Sequence, residues 1–231
     1  MKKTHIIAEI GINHNGSLDI AKKLIDVAYL SGCDSVKFQK RNPDVCVPEH
    51  QKGVMRDTPW GRMTYLDYKY KVEFEKEEYD EIDSYCRDRD ISWSASPWDL
   101  DSLNFLMNYD IPFIKIPSAM LTNDELISAS VKTNKKIILS TGMSTESEID
   151  HAVSLLGDNF ALLHCNSTYP APVNELNLSV IKTFQEKYNC EVGYSGHEML
   201  LGTTVSSVLL GATIIERHIT LDRNMEGSDH S

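Results

Sequence analysis

The chain has 231 residues, 41% of them hydrophobic, and a formal net charge of −11 at pH 7, which leaves room for one large domain or two small ones with a substantial core. The acidic balance excludes nucleic acid as the main partner, because neutralising phosphates requires clustered cations, and no run approaches the length of a membrane-spanning helix. The start, MKKTHIIAEIGINHNG, lacks the apolar core and cleavage site of a signal peptide, and the five widely spaced cysteines contain no Cys-x-x-Cys pair; both fit a cytoplasmic protein with reduced thiols.

In chain order, residues 5–12 form an apolar run with one acid, Glu9, inside it, as buried parallel strands do. Asn13 to Gly16 is a turn, and Ser17 or Asp19 starts a helix that runs to about Leu30. A second strand covers 35–39 with Lys37 at its middle. Residues 41–72, with three prolines, Trp60 and several tyrosines, read as a long, packed loop. An acidic helix follows over 75–89. Strands are expected over 91–98, 113–116, 136–142 and 160–165, and helices over 100–108, 123–133, 146–156 and 178–188. The strand over 113–116 again holds an internal lysine, Lys115.

The stretch EVGYSGHEMLLGTTVSSVLLGATIIERHIT then reads as strand, helix, strand, which makes two parallel neighbours in one sheet. Eight strands alternating with helices predict an α/β fold, a parallel (β/α)8 TIM barrel. A doubly wound open sheet is the weaker alternative, for want of a Gly-x-Gly-x-x-Gly turn. After Thr220 there is no room for an eighth helix. One of Ile214 and Ile215 should therefore lie under a missing helix, leaving apolar surface for a symmetry-related chain.

Polar residues at the C-terminal ends of barrel strands mark the catalytic face. Here they are Glu9, Asn13 and His14; Lys37 and Gln39; Ser94 and Ser96; Lys115 and Ser118; Ser140 and Thr141; His164, Asn166 and Ser167; Ser195 and His197; and Glu216, Arg217 and His218. His197 and His218 end adjacent strands and could share a divalent transition metal, or each could simply bond the backbone. Lysines within apolar strands are costly unless paired or bound to an anion. Lys37 and Lys115 therefore serve either an anion site with the serines, for phosphate or carboxylate, or buried ion pairs with Glu9 or Glu216. Cys165 reads as an inert buried thiol whose strand-end place keeps reactivity open.

The stretches AEIGINHNG, VKFQK, ILSTGM, LLHCNSTYP, GYSGHE, ERHIT and LDRNMEGSDHS resemble the sialic acid synthase family, N-acetylneuraminate synthase and its relatives. The resemblance covers essentially the whole chain. It implies a metal-dependent condensation of phosphoenolpyruvate with an open-chain N-acylmannosamine-type aldose, giving a nine-carbon 2-keto sugar acid and phosphate. It places His197 and His218 on Mn²⁺ or Mg²⁺, with Glu9 at the metal and sugar end. Lys37, Ser96, Lys115, Ser118, Ser140, Ser167, Tyr169 and Ser195 would surround phosphoenolpyruvate, and Gln39 and Asp229 would fall near the sugar. A synthase for a legionaminic or pseudaminic acid precursor, or for a 6-phosphorylated aldose, is an alternative; so is a barrel that binds sugar or phosphate without turnover. A homodimer is expected. Two departures stand out. Met120 replaces an acid that the family carries beside the reacting groups, and residues 1–231 form the barrel alone, without the family's C-terminal antifreeze-like domain.

Overall fold

The structure, a computed structural model, describes residues 3–230. The chain runs β1 (His5–Gly11), α1 (Leu18–Leu30), β2 (Ser35–Lys40), α2 (Pro43–Cys46), α3 (Glu49–Lys52), β3 (Met55–Thr58), β4 (Gly61–Thr64), α4 (Tyr65–Val72) and α5 (Lys76–Asp88). It continues through β5 (Ser92–Pro97), α6 (Leu100–Leu106), β6 (Phe113–Ile116), α7 (Asp124–Val131), β7 (Lys136–Ser140), α8 (Glu146–Leu155), β8 (Phe160–Cys165), α9 (Val180–Lys187), β9 (Glu191–Gly196), α10 (Leu201–Leu209) and β10 (Ile214–His218). Side-chain caps set many of the helix starts. Ser17, Thr64, Asp99, Asn123 and Thr145 each accept a first-turn N–H, and Thr145 with Glu148 forms a capping box.

Eight parallel strands form one sheet in the order β5-β2-β1-β10-β9-β8-β7-β6. The end strands β5 and β6 meet across a seam, where Ser94 Oγ donates to the Phe113 carbonyl at 2.5 Å. The result is the expected barrel, with helices around it. The separate antiparallel hairpin β3–β4 lies in the segment expected to be loop. That segment is ordered into three short helices and the hairpin. Its tip Gly61 has φ +105°, a left-handed conformation that glycine adopts without Cβ strain.

Alternation along the strands builds the barrel interior in layers. Ile7, Phe113, Ile138, Ala161, Leu163 and Ile214 form an apolar plug separate from the outer core. Gly193 belongs to this layer, and a Cβ there would stand 2.5 Å from Leu163 and 2.3 Å from the Ile214 carbonyl. Two residues further along, the same inward faces carry Glu9, Lys115, Ser140, Ser195 and Glu216, all buried. The plug is thus the floor of a polar chamber open at the C-terminal face.

After β10 the described residues form no α-helix, only a 3-10 turn over Ser228–His230. The strand itself is not bare: Ile214 sits in the plug and Ile215 in the outer core, each no more than 3% exposed. This corrects the expectation of an uncovered isoleucine on β10. The exposed apolar side chains fall instead on Ile6 and on Leu201, Val205 and Leu209 of α10. The final segment crosses the mouth of the barrel, where Asn13 Nδ2 donates to the carbonyls of Ile219 and Asp229.

Candidate active site

A cavity of about 200 Å³ opens above the plug. Of the thirteen residues singled out by sequence as catalytic, metal-binding or substrate-binding, twelve line it. They are Glu9, Lys37, Gln39, Ser96, Lys115, Ser118, Ser140, Ser167, Tyr169, Ser195, His197 and His218. Asp229 is the exception; it lies in an adjoining cleft with His218, its Oδ2 4.0 Å from His218 Nδ1. Glu216 also lines the cavity, as do Trp98, Pro117, Ala119, Met143 and Cys165. Among the other strand-end polar residues, Ser94 closes the barrel seam. His164 faces away, its Nε2 donating to the Leu176 carbonyl.

The charged layer is balanced. Lys37 Nζ is 2.7 Å from Glu9 Oε2, donates to Ser96 Oγ at 2.8 Å, and lies 3.9 Å from Glu216 Oε2. Lys115 Nζ donates to Ser140 Oγ at 2.7 Å and lies 3.7 Å from Glu216 Oε1. Ser195 Oγ donates to that same Glu216 oxygen at 2.9 Å. The two lysines thus make the buried ion pairs that the sequence left open. Burial lowers the pKa of Lys115, with Lys37 adding to the effect and Glu216 opposing it. The two acids divide. Burial pushes Glu9 up against the opposing charge of Lys37. At Glu216, burial is outweighed by Lys115 and Lys37, which hold the carboxyl below its ordinary range. Gln39 Nε2 donates to Glu9 Oε1 at 3.0 Å and fixes its orientation.

Beside the lysines is a cradle of small groups. The Gly142 N–H donates to Ser118 Oγ at 2.9 Å. A Cβ at Gly142 would come within 2.2 Å of Ser167 Oγ and 2.9 Å of Ser118 Oγ, so only glycine leaves this recess open. Two hydroxyls and two ammonium groups lining the same cavity form a donor-rich wall suited to a phosphate or carboxylate. Cys165 borders the recess. Burial would raise its thiol, but His197, Lys115 and Ser118 outweigh that and lower it. Cys165 is buried, as expected, and its strand-end place brings it into the cavity lining, the alternative that the sequence kept open.

In the same cavity the His197 and His218 rings lie 5.5 Å apart between centroids, and His197 Nδ1 is 3.8 Å from Cys165 Sγ. His197 Nδ1 donates to the Asn166 carbonyl at 2.6 Å, which leaves Nε2 with a free lone pair that accepts from Tyr169 OH at 2.9 Å. Holding one ring nitrogen on a backbone carbonyl is how metal-binding imidazoles are oriented. His218 Nδ1 is buried without a hydrogen-bond partner, and burial lowers this ring's pKa and keeps it neutral. Among the described residues no cluster of three or more His, Cys, Asp or Glu side chains forms a ready-made metal cage. The donor set fits a divalent ion held by two imidazoles, with water or substrate completing its shell.

Met120 does not reach the cavity. It is the last residue of a 3-10 turn, Ser118–Met120, in which neighbours are rotated by about 120°. Ser118 therefore faces the recess, while Met120 packs on the outer core and borders a separate cleft with Asp99 and Asn123. Met120 is thus not among the residues that line the cavity.

A barrel whose C-terminal mouth carries paired lysines, a cradle of hydroxyls and two converging imidazoles has the layout of an enzyme site. The NeuB family model matches residues 24–231, and the chain belongs to that family. It is 40% identical to the N,N'-diacetyllegionaminic acid synthase of Campylobacter jejuni, covering all of this chain and 71% of that protein. It is 37% identical to the N-acetylneuraminate-9-phosphate synthase of Drosophila melanogaster, over 98% of this chain and 62% of the relative. In structure it matches the N-acetylneuraminic acid synthetase of Leptospira borgpetersenii in complex with citrate, with a TM-score of 0.89 and 33% identity over 99% of this chain and 77% of the other. A truncated 3-deoxy-D-arabino-heptulosonate 7-phosphate synthase from Thermotoga maritima shares the fold at a TM-score of 0.72 and 11% identity. No helix among the described residues is long and apolar enough to cross a membrane.

Proposed function

We propose that this protein joins phosphoenolpyruvate to an N-acylmannosamine-type aldose, forming a nine-carbon 2-keto sugar acid and inorganic phosphate. The observation that carries the reading is that two buried lysines, the Ser118–Gly142–Ser167 recess and two convergent imidazoles line one cavity. Sugar acid synthase chemistry is the activity named for the family relatives above.

Lys37, Lys115 and the recess hold the phosphate and carboxylate of phosphoenolpyruvate, exchanging part of their pairing with Glu9 and Glu216 for the substrate's charges. Carbon 3 of phosphoenolpyruvate attacks the aldehyde carbon, and the new carbon–carbon bond leaves positive charge at carbon 2. Glu9, raised by burial, is the carboxyl suited to carry a proton to the aldehyde oxygen. Water adds at carbon 2, and the tetrahedral intermediate expels phosphate by carbon–oxygen cleavage. The ionised Glu216, between both lysines and Ser195, faces the developing positive charge. His197 and His218 would hold the divalent ion, Mn²⁺ or Mg²⁺, which when bound supplies Lewis acidity at the aldehyde. A cytoplasmic, homodimeric enzyme is part of the same reading, and sedimentation tests the dimer.

The deciding experiment is turnover in ¹⁸O-water with Mn²⁺, phosphoenolpyruvate and a panel of aldoses that includes a legionaminic acid precursor. The reading requires unlabelled phosphate, because water attacks carbon. Labelled phosphate, or no phosphate released with any aldose, overturns it.

A further inference from the structure

The pairing of β9 with β10 ends at Gly196 and Arg217, one residue short of His197 and His218, so the ladder does not reach the two imidazoles. Arg217, a strand-end residue that the condensation does not use, takes over there. Its Nη1 donates to Glu198 Oε1 and its Nη2 to the Glu198 carbonyl, so one guanidinium grips one residue at two points. Glu198 directly follows His197, and Arg217 directly precedes His218. Each member of this pair is therefore the chain neighbour of one imidazole.

The surroundings fix this pair closely. The Glu198 side chain is fully buried and that of Arg217 is 24% exposed. Tyr194 OH donates to Glu198 Oε2 at 2.7 Å, and Thr203, in the first turn of α10, donates to Oε1. Arg217 Nη1 also donates to Thr204 Oγ1 at 3.2 Å. Gly196 makes room for the arrangement: a Cβ there would stand 2.6 Å from Tyr194 Cε1 and 2.7 Å from both Arg217 Nη1 and Glu198 Oε2. His197 is held towards β8, where its Nδ1 bonds the Asn166 carbonyl and its own carbonyl accepts from the Ala171 N–H at 3.0 Å. Towards β10, its loop is joined through Glu198 to Arg217.

We propose that the Glu198–Arg217 fork positions the metal site, holding the ends of β9 and β10 at the spacing at which His197 and His218 can share one divalent ion. This rests on the assignment above of those two histidines as metal ligands. Both members of the fork are positioning residues, acting through the imidazoles beside them. A single contact would let the loop pivot about Glu198. Donation to the carboxylate and to the carbonyl of the same residue fixes its side chain and its backbone together. Two imidazoles are a small ligand set, so an ion that they share is sensitive to how they are oriented and spaced.

The test is titration of the 231-residue chain with Mn²⁺ and, separately, with phosphoenolpyruvate, together with ¹⁵N spectra of the histidine rings in metal-free protein. Two variants are compared with the parent. Arg217→Lys keeps the charge and loses the fork. Arg217→Met combined with Glu198→Gln removes both charges at once, so no unpaired ion is left buried. Both should bind Mn²⁺ about ten- to a hundredfold more weakly, the usual cost of losing a group that orients metal-binding imidazoles. Phosphoenolpyruvate affinity should be unchanged, which also shows that the variants are folded. The ring signals of His197 and His218 should shift, while those of His5, at the start of β1, and His151, in α8, should not. Parent-like Mn²⁺ affinity in either variant, ring signals of His197 and His218 that stay in place, or an equal loss of Mn²⁺ and phosphoenolpyruvate binding would overturn the inference. If the parent itself binds no Mn²⁺, the assignment of the metal ligands fails instead, and the ring spectra still decide whether the fork positions the two histidines.

Discussion

Replacing Glu216 by Gln removes one negative charge from a buried set of two lysines and two glutamates, without changing its shape. Glu216 is 6% exposed and Lys115 2%, so bulk water cannot take over the lost partner. Breaking a buried pair in this way costs about 3–5 kcal/mol. The chemistry sets an independent ceiling, because Lys115 can escape by shedding its proton. At pH 7 that costs about 4.6 kcal/mol, the ~3.4 units between pH 7 and an unfolded lysine pKa of about 10.4, at ~1.36 kcal/mol per unit. At pH 9 the gap is ~1.4 units and the ceiling about 2 kcal/mol. The sign is fixed. A lysine whose folded pKa is depressed destabilises most at low pH, and the penalty shrinks as pH rises toward the unfolded value. Urea unfolding of the parent and Glu216→Gln at pH 7 and pH 9 should therefore show a difference that falls by about half or more. Phosphoenolpyruvate should stabilise the variant more than the parent, since it replaces the missing charge. A pH 7 difference below about 1 kcal/mol, or one that does not shrink at pH 9, would refute the picture of a charge-balanced buried layer.

Three further outcomes follow from the same geometry. His218→Ala should lose most of its Mn²⁺ affinity in a titration, because it removes one of the two imidazoles that line the cavity. Lys115→Met should weaken phosphoenolpyruvate binding by about 2–5 kcal/mol, and unchanged affinity would remove Lys115 from the anion site. His14, buried and stacked on Phe74 at 3.9 Å, has its pKa lowered to about 3, so its contribution is intact above pH 6.5 and is lost as pH falls toward 3. Between pH 6.5 and 5 the parent should lose about 2 kcal/mol more stability than His14→Gln, and matching pH profiles would count against a neutral, buried His14.

The barrel was legible because most of its strands are short apolar runs closed by turn residues, and the eight strands and the helices between them fall within a residue or two of the expected spans. Residues 41–72 were not. Their elements are four to eight residues long, too short for a helical or alternating period to show. That insertion stacks Arg56 and Lys69 on the Tyr65 ring, a contact hidden from the sequence for the same reason.

Strand parity explains how much of the site could be read. In β1, β6, β7 and β10 an apolar plug residue is followed two positions later by Glu9, Lys115, Ser140 and Glu216. A period of two puts each pair on one face. A sheet that closes on itself can have only one inside, so a polar residue two steps above a plug residue must enter the chamber. The lysines in apolar strands signalled this, and the same rule places Glu216 there on equal terms. Seen this way, anion binding and buried ion pairing are not rivals for Lys37 and Lys115. Two ammonium groups cannot wait unpaired in a chamber sealed below by Phe113 and Ile138, so the fold supplies carboxylates that hold them until a substrate arrives. The two acids respond differently to that duty. Glu216, shared by both lysines, stays ionised, whereas Glu9, with Lys37 alone at close range, is left as the group able to take up a proton. What parity cannot reach is the rim. Trp98, Pro117, Ala119 and Met143 enter the cavity from turns beyond the strand ends, where backbone direction, and not alternation, decides which side chain points inward.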